Sequence, residues 1–109
     1  MSVYRPGCFL AFYGRPEGKL APCAGPTQQA HLIKRQVLKR ECPEHDVWDR
    51  RVWVWACEAH HRAFDHARTI RLPRENVPAA TEVAAIELGL SWWLDREFGE
   101  IRAVCLSPG

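Results

Sequence analysis

Ten consecutive residues, Cys57-Glu58-Ala59-His60-His61-Arg62-Ala63-Phe64-Asp65-His66, bring together a thiol, three imidazoles and the Asp65 carboxylate. They follow Arg51-Val52-Trp53-Val54-Trp55-Ala56, whose β-branched and aromatic residues suit a strand covered on both faces. An apolar core has no use for so many metal-donor groups. The run therefore constrains the chain to a fold in which a strand hands over to a helix at a metal. The spacing predicts that helix from Cys57 or Glu58 to about Ala67, with Glu58 at the positive end of the helix dipole. Residues three and four apart share a helical face, so Cys57 pairs with His60 and His61 with Asp65. His60 and His61 point about 100° apart, which divides the donors between two directions.

Cys57-x-x-His60 is half of a tetrahedral zinc site, because thiolate and imidazole together suit Zn²⁺. The other half comes from elsewhere. Cys8 and Cys23 would tie a loop-rich N-terminus to the start of the helix, and Cys42 and His45 offer a rival pair in C-x-x-H spacing. With 109 residues the chain reads as one domain with a modest core, the size class in which a metal staple matters most. Five cysteines are an odd number, and Met1-Ser2-Val3-Tyr4-Arg5-Pro6-Gly7 lacks the apolar core of a secretory signal. The expectation is zinc-binding thiols in a reducing, cytoplasmic compartment rather than disulfides, with Cys105 an ordinary thiol. No apolar stretch approaches the length of a membrane span.

Residues 1–29 are rich in Gly and Pro around a short apolar run, Phe9 to Tyr13, and read as a zinc-tied loop region with one strand or hairpin. Residues 30–38 begin as a strand, 39–50 read as a polar loop and 51–56 as the second strand. Beyond 68 the reading is a C-terminal helical extension. A short extended piece ends at Pro73. A helix follows Pro78, with Ala79, Val83, Ile86 and Leu90 as its apolar stripe and Gly89 as its stop. Ser91 caps a last helix that Gly99 ends. Trp53, Trp55, Trp92 and Trp93 are assigned to the core. The net charge is only +2, but Lys34, Arg35, Lys39 and Arg40 cluster, with Arg50, Arg51, Arg62, Arg68, Arg71 and Arg74 further on. Glu82, Glu87, Asp95, Glu97 and Glu100 gather near the C-terminus. The expectation is one basic working face and one solvated acidic face.

Ala30-His31-Leu32-Ile33-x-Arg35, then a strand, then Cys57-x-x-His60-His61-Arg62, then Trp92-Trp93-Leu94-Asp95-Arg96-Glu97-Phe98-Gly99, resembles the HNH (ββα-metal, or His-Me finger) endonucleases. The likeness is greatest to their small phage and bacterial members, and it covers about Cys8 to Gly99. It implies a small α+β domain with a ββα-metal core at residues 30–67, a structural zinc site and the C-terminal helical extension. It also implies a DNA endonuclease or nickase, a hydrolase of phosphodiester bonds, with His31 as general base. A catalytic Mg²⁺ or Mn²⁺ would sit at His61, Asp65 and Asp49, separate from structural Zn²⁺ at Cys8, Cys23, Cys57 and His60.

The chemistry is consistent. Imidazole is the side chain best matched to deprotonating water near neutral pH, and a hard cation stabilises charge on the phosphate and its leaving oxygen. Lys34, Arg35 and Arg62 are the expected contacts to the DNA backbone. Two positions depart from the family pattern: Ala30 precedes the base where an Asp or His ligand is common, and Asp49 stands in for the central Asn. The alternative is a zinc-stabilised HNH-like module that binds nucleic acid or protein without cutting.

Overall fold

A computed structural model describes residues 7–11, 13, 22–68 and 70–101. Two strands, β1 (Thr27–His31) and β2 (Trp53–Cys57), pair antiparallel with Thr27 opposite Cys57 and His31 opposite Trp53. Between them lies helix α1 (Arg35–Glu41), and directly after β2 comes α2 (Glu58–Asp65), which packs on both strands. A single 3₁₀ turn (Arg74–Asn76) leads to α3 (Ala79–Leu88) and α4 (Ser91–Phe98). The chain is thus a small α+β domain with strand, strand and helix packed together. Among the described residues, no helix is long and apolar enough to cross a membrane.

The segment 30–38 begins in a strand, as expected, but continues as a helix. β1 ends at His31, and the amides of Leu32 and Ile33 turn to donate to the Val52 carbonyl (2.8 and 3.2 Å). From there Ile33, Val37 and Leu38 recur at helical spacing, and all three are buried. Lys39 and Arg40 occupy the last turn of α1, where cations suit the negative end of the dipole. In the N-terminal run, Phe9 to Ala11 form turns rather than a strand; Phe9 N–H donates to the Trp55 carbonyl on the outer edge of β2 (2.8 Å). Phe12, residues 14–21 and Cys105 lie outside the described residues.

Helix α3 also faces differently from its expected stripe. Val83 and Ile86 are 50% and 70% exposed, and Ala79 is exposed, whereas Thr81, Ala84 and Ala85 are buried. The small alanines let α3 approach Val52 and Trp53 closely, and the Thr81 hydroxyl donates to the Arg51 carbonyl. Gly89 ends α3 as expected, with φ of 70°. Helix α4 starts at Ser91 itself, with Leu90 in the cap position and no side-chain cap bond. Trp53 and Trp93 are buried, but Trp55 and Trp92 are each 45% exposed; Trp55 lies on the same face of β2 as Trp53 and packs against its ring.

Most of the acidic residues near the C-terminus are paired with arginines, though Glu87, Asp95 and Glu100 are exposed. Glu87 pairs with Arg51, Glu97 with Arg68, and Glu82 and Asp95 both with Arg74. The Arg74 guanidinium is buried and forked onto Glu82 (2.7 and 2.8 Å), and it also reaches Asp95 (2.6 Å) and the Gly99 carbonyl (2.8 Å). It clamps the 3₁₀ turn, α3 and the end of α4 together. Arg74→Ala is expected to cost about 2 kcal/mol in chemical denaturation, below the usual ~3–5 kcal/mol for a broken buried pair because Asp95 can rehydrate.

Candidate metal centre and histidine cleft

Cys57 closes β2 and caps α2, its sulfur accepting from the His60 amide (3.4 Å). His60 sits one turn on, buried, with Nδ1 3.0 Å from Cys57 Sγ, 3.4 Å from Cys8 Sγ and 3.6 Å from Cys23 Sγ. The donor atoms of all four residues lie within 4.8 Å of one another. One imidazole nitrogen has a single proton or a single lone pair, so it cannot hydrogen-bond to three sulfurs at once. A tetrahedron with Zn–S of about 2.3 Å has edges of about 3.7 Å, close to these separations. The donor set is one that could hold a metal such as zinc.

Local backbone brings the N-terminal half of the cluster into place. Glu58 N–H donates to the Pro26 carbonyl (2.9 Å) and Ala59 N–H to the Ala24 carbonyl (3.0 Å), so the loop carrying Cys23 satisfies the open amides at the start of α2. Gly25 makes the turn with φ of 81°, and a Cβ there would meet Glu58 Cβ at 2.6 Å. Cys8 Sγ accepts from the Cys57 amide (3.3 Å). Burial and the neighbouring sulfurs push the Cys8 thiol up to about 11. Burial acts the same way on Cys57, but hydrogen bonds from the backbone of His60 and Ala24 and from Cys23 and Cys8 together hold this thiol below its usual value. The rival donors are engaged elsewhere: the Cys42 thiol donates to the Leu88 carbonyl (3.5 Å), and His45 meets Asp49 (2.9 Å).

His31 ends β1. Its Nε2 lies 2.6 Å from the Val47 carbonyl, which can only accept, so Nε2 carries the proton and Nδ1 keeps the lone pair. The ring stands edge-on to Trp48, centroids 5.0 Å apart, and Arg35 lies over that indole at 5.4 Å. Burial holds the His31 imidazole below its ordinary value. The Val47 hydrogen bond opposes this, the charges of Arg35 and His61 add to it, and Asp65 opposes it. His31 lines a cleft of about 520 Å³ shared with Lys34, Arg68, Arg71, Phe64 and Phe98.

The expected second metal set is only partly assembled. His61 Nδ1 lies 2.8 Å from Gln28 Oε1, which fixes the proton on Nδ1 and leaves Nε2 to accept or ligate. Burial keeps this imidazole, too, below its ordinary value. Asp65, one turn on, pairs with Lys34 (3.5 Å). Asp49 is turned away from this role. Its carboxylate accepts from the backbone and guanidinium of Arg51 and meets His45, and the Arg51 bonds hold it well below the usual carboxylate range. Among the described residues, the Cys8, Cys23, Cys57 and His60 cluster is the only convergence of three or more such donors. Ala30 is fully buried in the core cluster that includes Cys8 and Cys57.

Of the expected phosphate contacts, Lys34 lines the His31 cleft and Arg35 lies beside it. Arg62 is exposed, pairs with Glu58 (3.8 Å) and opens on a smaller hollow shared with His61. The sequence reading assigned no role to Arg68 and Arg71 in the cleft, or to Trp48. The spacing Arg68-x-x-Arg71 just after α2 was the available signal. Comparison with protein-family models, curated proteins and solved structures finds no significant match to this chain.

Proposed function

We propose that this chain is a zinc-stapled, HNH-like phosphodiesterase that nicks DNA, with His31 as the general base. The observation that carries the reading is the placement of His31: its Nε2 is hydrogen-bonded to the Val47 carbonyl and its ring lines a cleft edged by Lys34, Arg68 and Arg71. A base needs an accessible lone pair and a substrate phosphate drawn to it, and these features supply both. In the proposed reaction His31 Nδ1 takes a proton from water as the water oxygen bonds to phosphorus, the bond from phosphorus to the 3′ oxygen breaks, and that oxygen takes a proton from solvent water. A bound Mg²⁺ or Mn²⁺ would stabilise charge on the phosphate and leaving group. His61 and Asp65 are the side chains that would hold it, and hard cations of this kind retain several waters and so suit a sparse protein donor set. Zn²⁺ at Cys8, Cys23, Cys57 and His60 is a closed, structural site in this reading. A cytoplasmic location follows from the reduced thiols it requires.

The test is conversion of supercoiled plasmid to open circle by zinc-loaded protein, with and without added Mg²⁺ or Mn²⁺. Metal-dependent nicking supports the proposal. DNA binding with zinc retained and no nicking in either metal favours a second reading, a non-cutting nucleic-acid module. Two observations favour that reading: the apolar Ala30 beside the base, and the commitment of Asp49 to Arg51.

The pH profile carries its own expectation. The groups acting on His31 are the Val47 carbonyl, Arg35, His61 and Asp65, and burial, joined by Arg35 and His61, outweighs the rest. A lowered histidine pKa means more neutral base at a given pH. The nicking rate should therefore climb with pH and reach its half-point below 6.5, the ordinary histidine value. A pH–rate profile with its acid limb above that value would contradict the assignment.

A further inference from the structure

We infer that the His31 cleft binds an unpaired nucleotide, so that the preferred substrate is single-stranded DNA rather than intact duplex. This deepens the nuclease proposal and rests on it for the position of the scissile phosphate. The cleft's volume of about 520 Å³ falls within the ~300–1,000 Å³ of pockets that enclose small ligands. Its lining includes two aromatic rings and three cations, beside the Glu97 carboxylate and an aliphatic floor. Phe64 and Phe98 are only partly buried and lie nearly parallel, 8° apart in plane with centroids at 6.3 Å. Around them stand Lys34, Arg68 and Arg71, and Arg71 has no ion pair among the described residues. An aromatic surface edged by cations takes a base on its π-face and the adjoining phosphates at the rim. In a duplex both faces of each base are already stacked, so only an unpaired base can reach those rings.

The backbone adds an independent observation. Arg68 has φ of 55°, the one non-glycine residue with positive φ among those described. Glycine adopts this conformation without the steric penalty a side chain carries. Its side chain is 62% exposed, and its ion pair to Glu97 is long (3.7 Å). An exposed, weakly paired arginine at a position that favours glycine contributes little to folding. At the rim of the cleft, it is available to a phosphate. Strained non-glycine positions are known to gather at ligand sites.

The experiment is fluorescence anisotropy of zinc-loaded protein with a labelled single strand, and with the same sequence annealed to its complement, at equal salt. Single-strand affinity should exceed duplex affinity about tenfold, the effect of one stacked base. Arg68→Gly should lose about threefold or more in single-strand affinity, from one lost phosphate contact, with no fall in its thermal midpoint. Phe64→Leu should remove most of the single-strand preference. Should that variant fold poorly, Arg68→Gly and the exposed Arg71→Gln carry the test. Equal affinity for strand and duplex, or unchanged single-strand binding by both arginine variants, would overturn the inference. Plasmid nicking separates the two proposals. Duplex nicking without a single-strand preference sinks this inference alone, and single-strand binding without cleavage in any metal sinks the nuclease reading alone.

Discussion

Cys57→Ser is expected to release the metal and unfold much of the chain. This residue combines three roles: it offers one of four converging donors, caps α2 through the His60 amide, and closes β2 against Thr27. Serine could keep the cap but is a poor zinc ligand, because the metal selects thiolate sulfur. Structural zinc contributes about 10–16 kcal/mol in small zinc-finger peptides, against a total stability of about 5–15 kcal/mol for a typical domain. Losing a quarter of the ligand set therefore removes a large share of what holds the N-terminal loops to the sheet. Metal analysis should find about one zinc per chain in the wild type and almost none in the variant, with a collapse of the cooperative unfolding transition. Cys42→Ser is the control. That thiol donates to a carbonyl, a task a hydroxyl can take over, so zinc content and stability should stay close to wild type. Cys57→Ser protein that retained a full equivalent of zinc would remove the staple from the account.

The four-donor cluster is legible in the sequence because few residue types can bind zinc and helical spacing decides which of them share a face. Cys57 and His60 followed from that spacing, and Cys8 and Cys23 from the need to hold a segment with little apolar content of its own. Asp49 is engaged by Arg51 and His45, partners its sequence context alone does not single out. Its carboxylate could serve either His61's neighbourhood or Arg51, and the partner two residues along the chain won, through a backbone and a guanidinium bond together. Periodicity misled in two helices. Leu32 and Ile33 extended the apolar look of β1 across a turn and hid the onset of α1. In α3, Val83 and Ile86 are the larger apolar residues but Ala84 and Ala85 are the ones that let the helix close on Val52. The cleft was not readable at all, since it depends on where α4 lays Phe98 against Phe64. That arrangement is fixed by the Arg74 clamp, whose carboxylate partners lie eight and twenty-one residues away along the chain.

His31→Ala is expected to lower nicking by about 10²–10⁴-fold, the usual contribution of a positioned general base. The substitution leaves the zinc centre untouched and costs one hydrogen bond to Val47, about 1 kcal/mol. Folding, zinc content and DNA affinity should accordingly remain near wild type, which isolates the chemical role from a structural one. Added imidazole should restore part of the lost rate in the alanine variant, because the small cavity left at the mouth of the cleft admits a free base. A merely structural histidine would show neither the large rate loss at constant binding nor the rescue.

The most direct measurement compares wild type and His31→Ala, matched for zinc content and DNA affinity, for nicking of supercoiled plasmid in Mn²⁺. The account requires open circles from the wild type and a loss of at least about a hundredfold in the variant. Equal nicking by both proteins, or none by a wild type that binds DNA and retains its zinc, would contradict it.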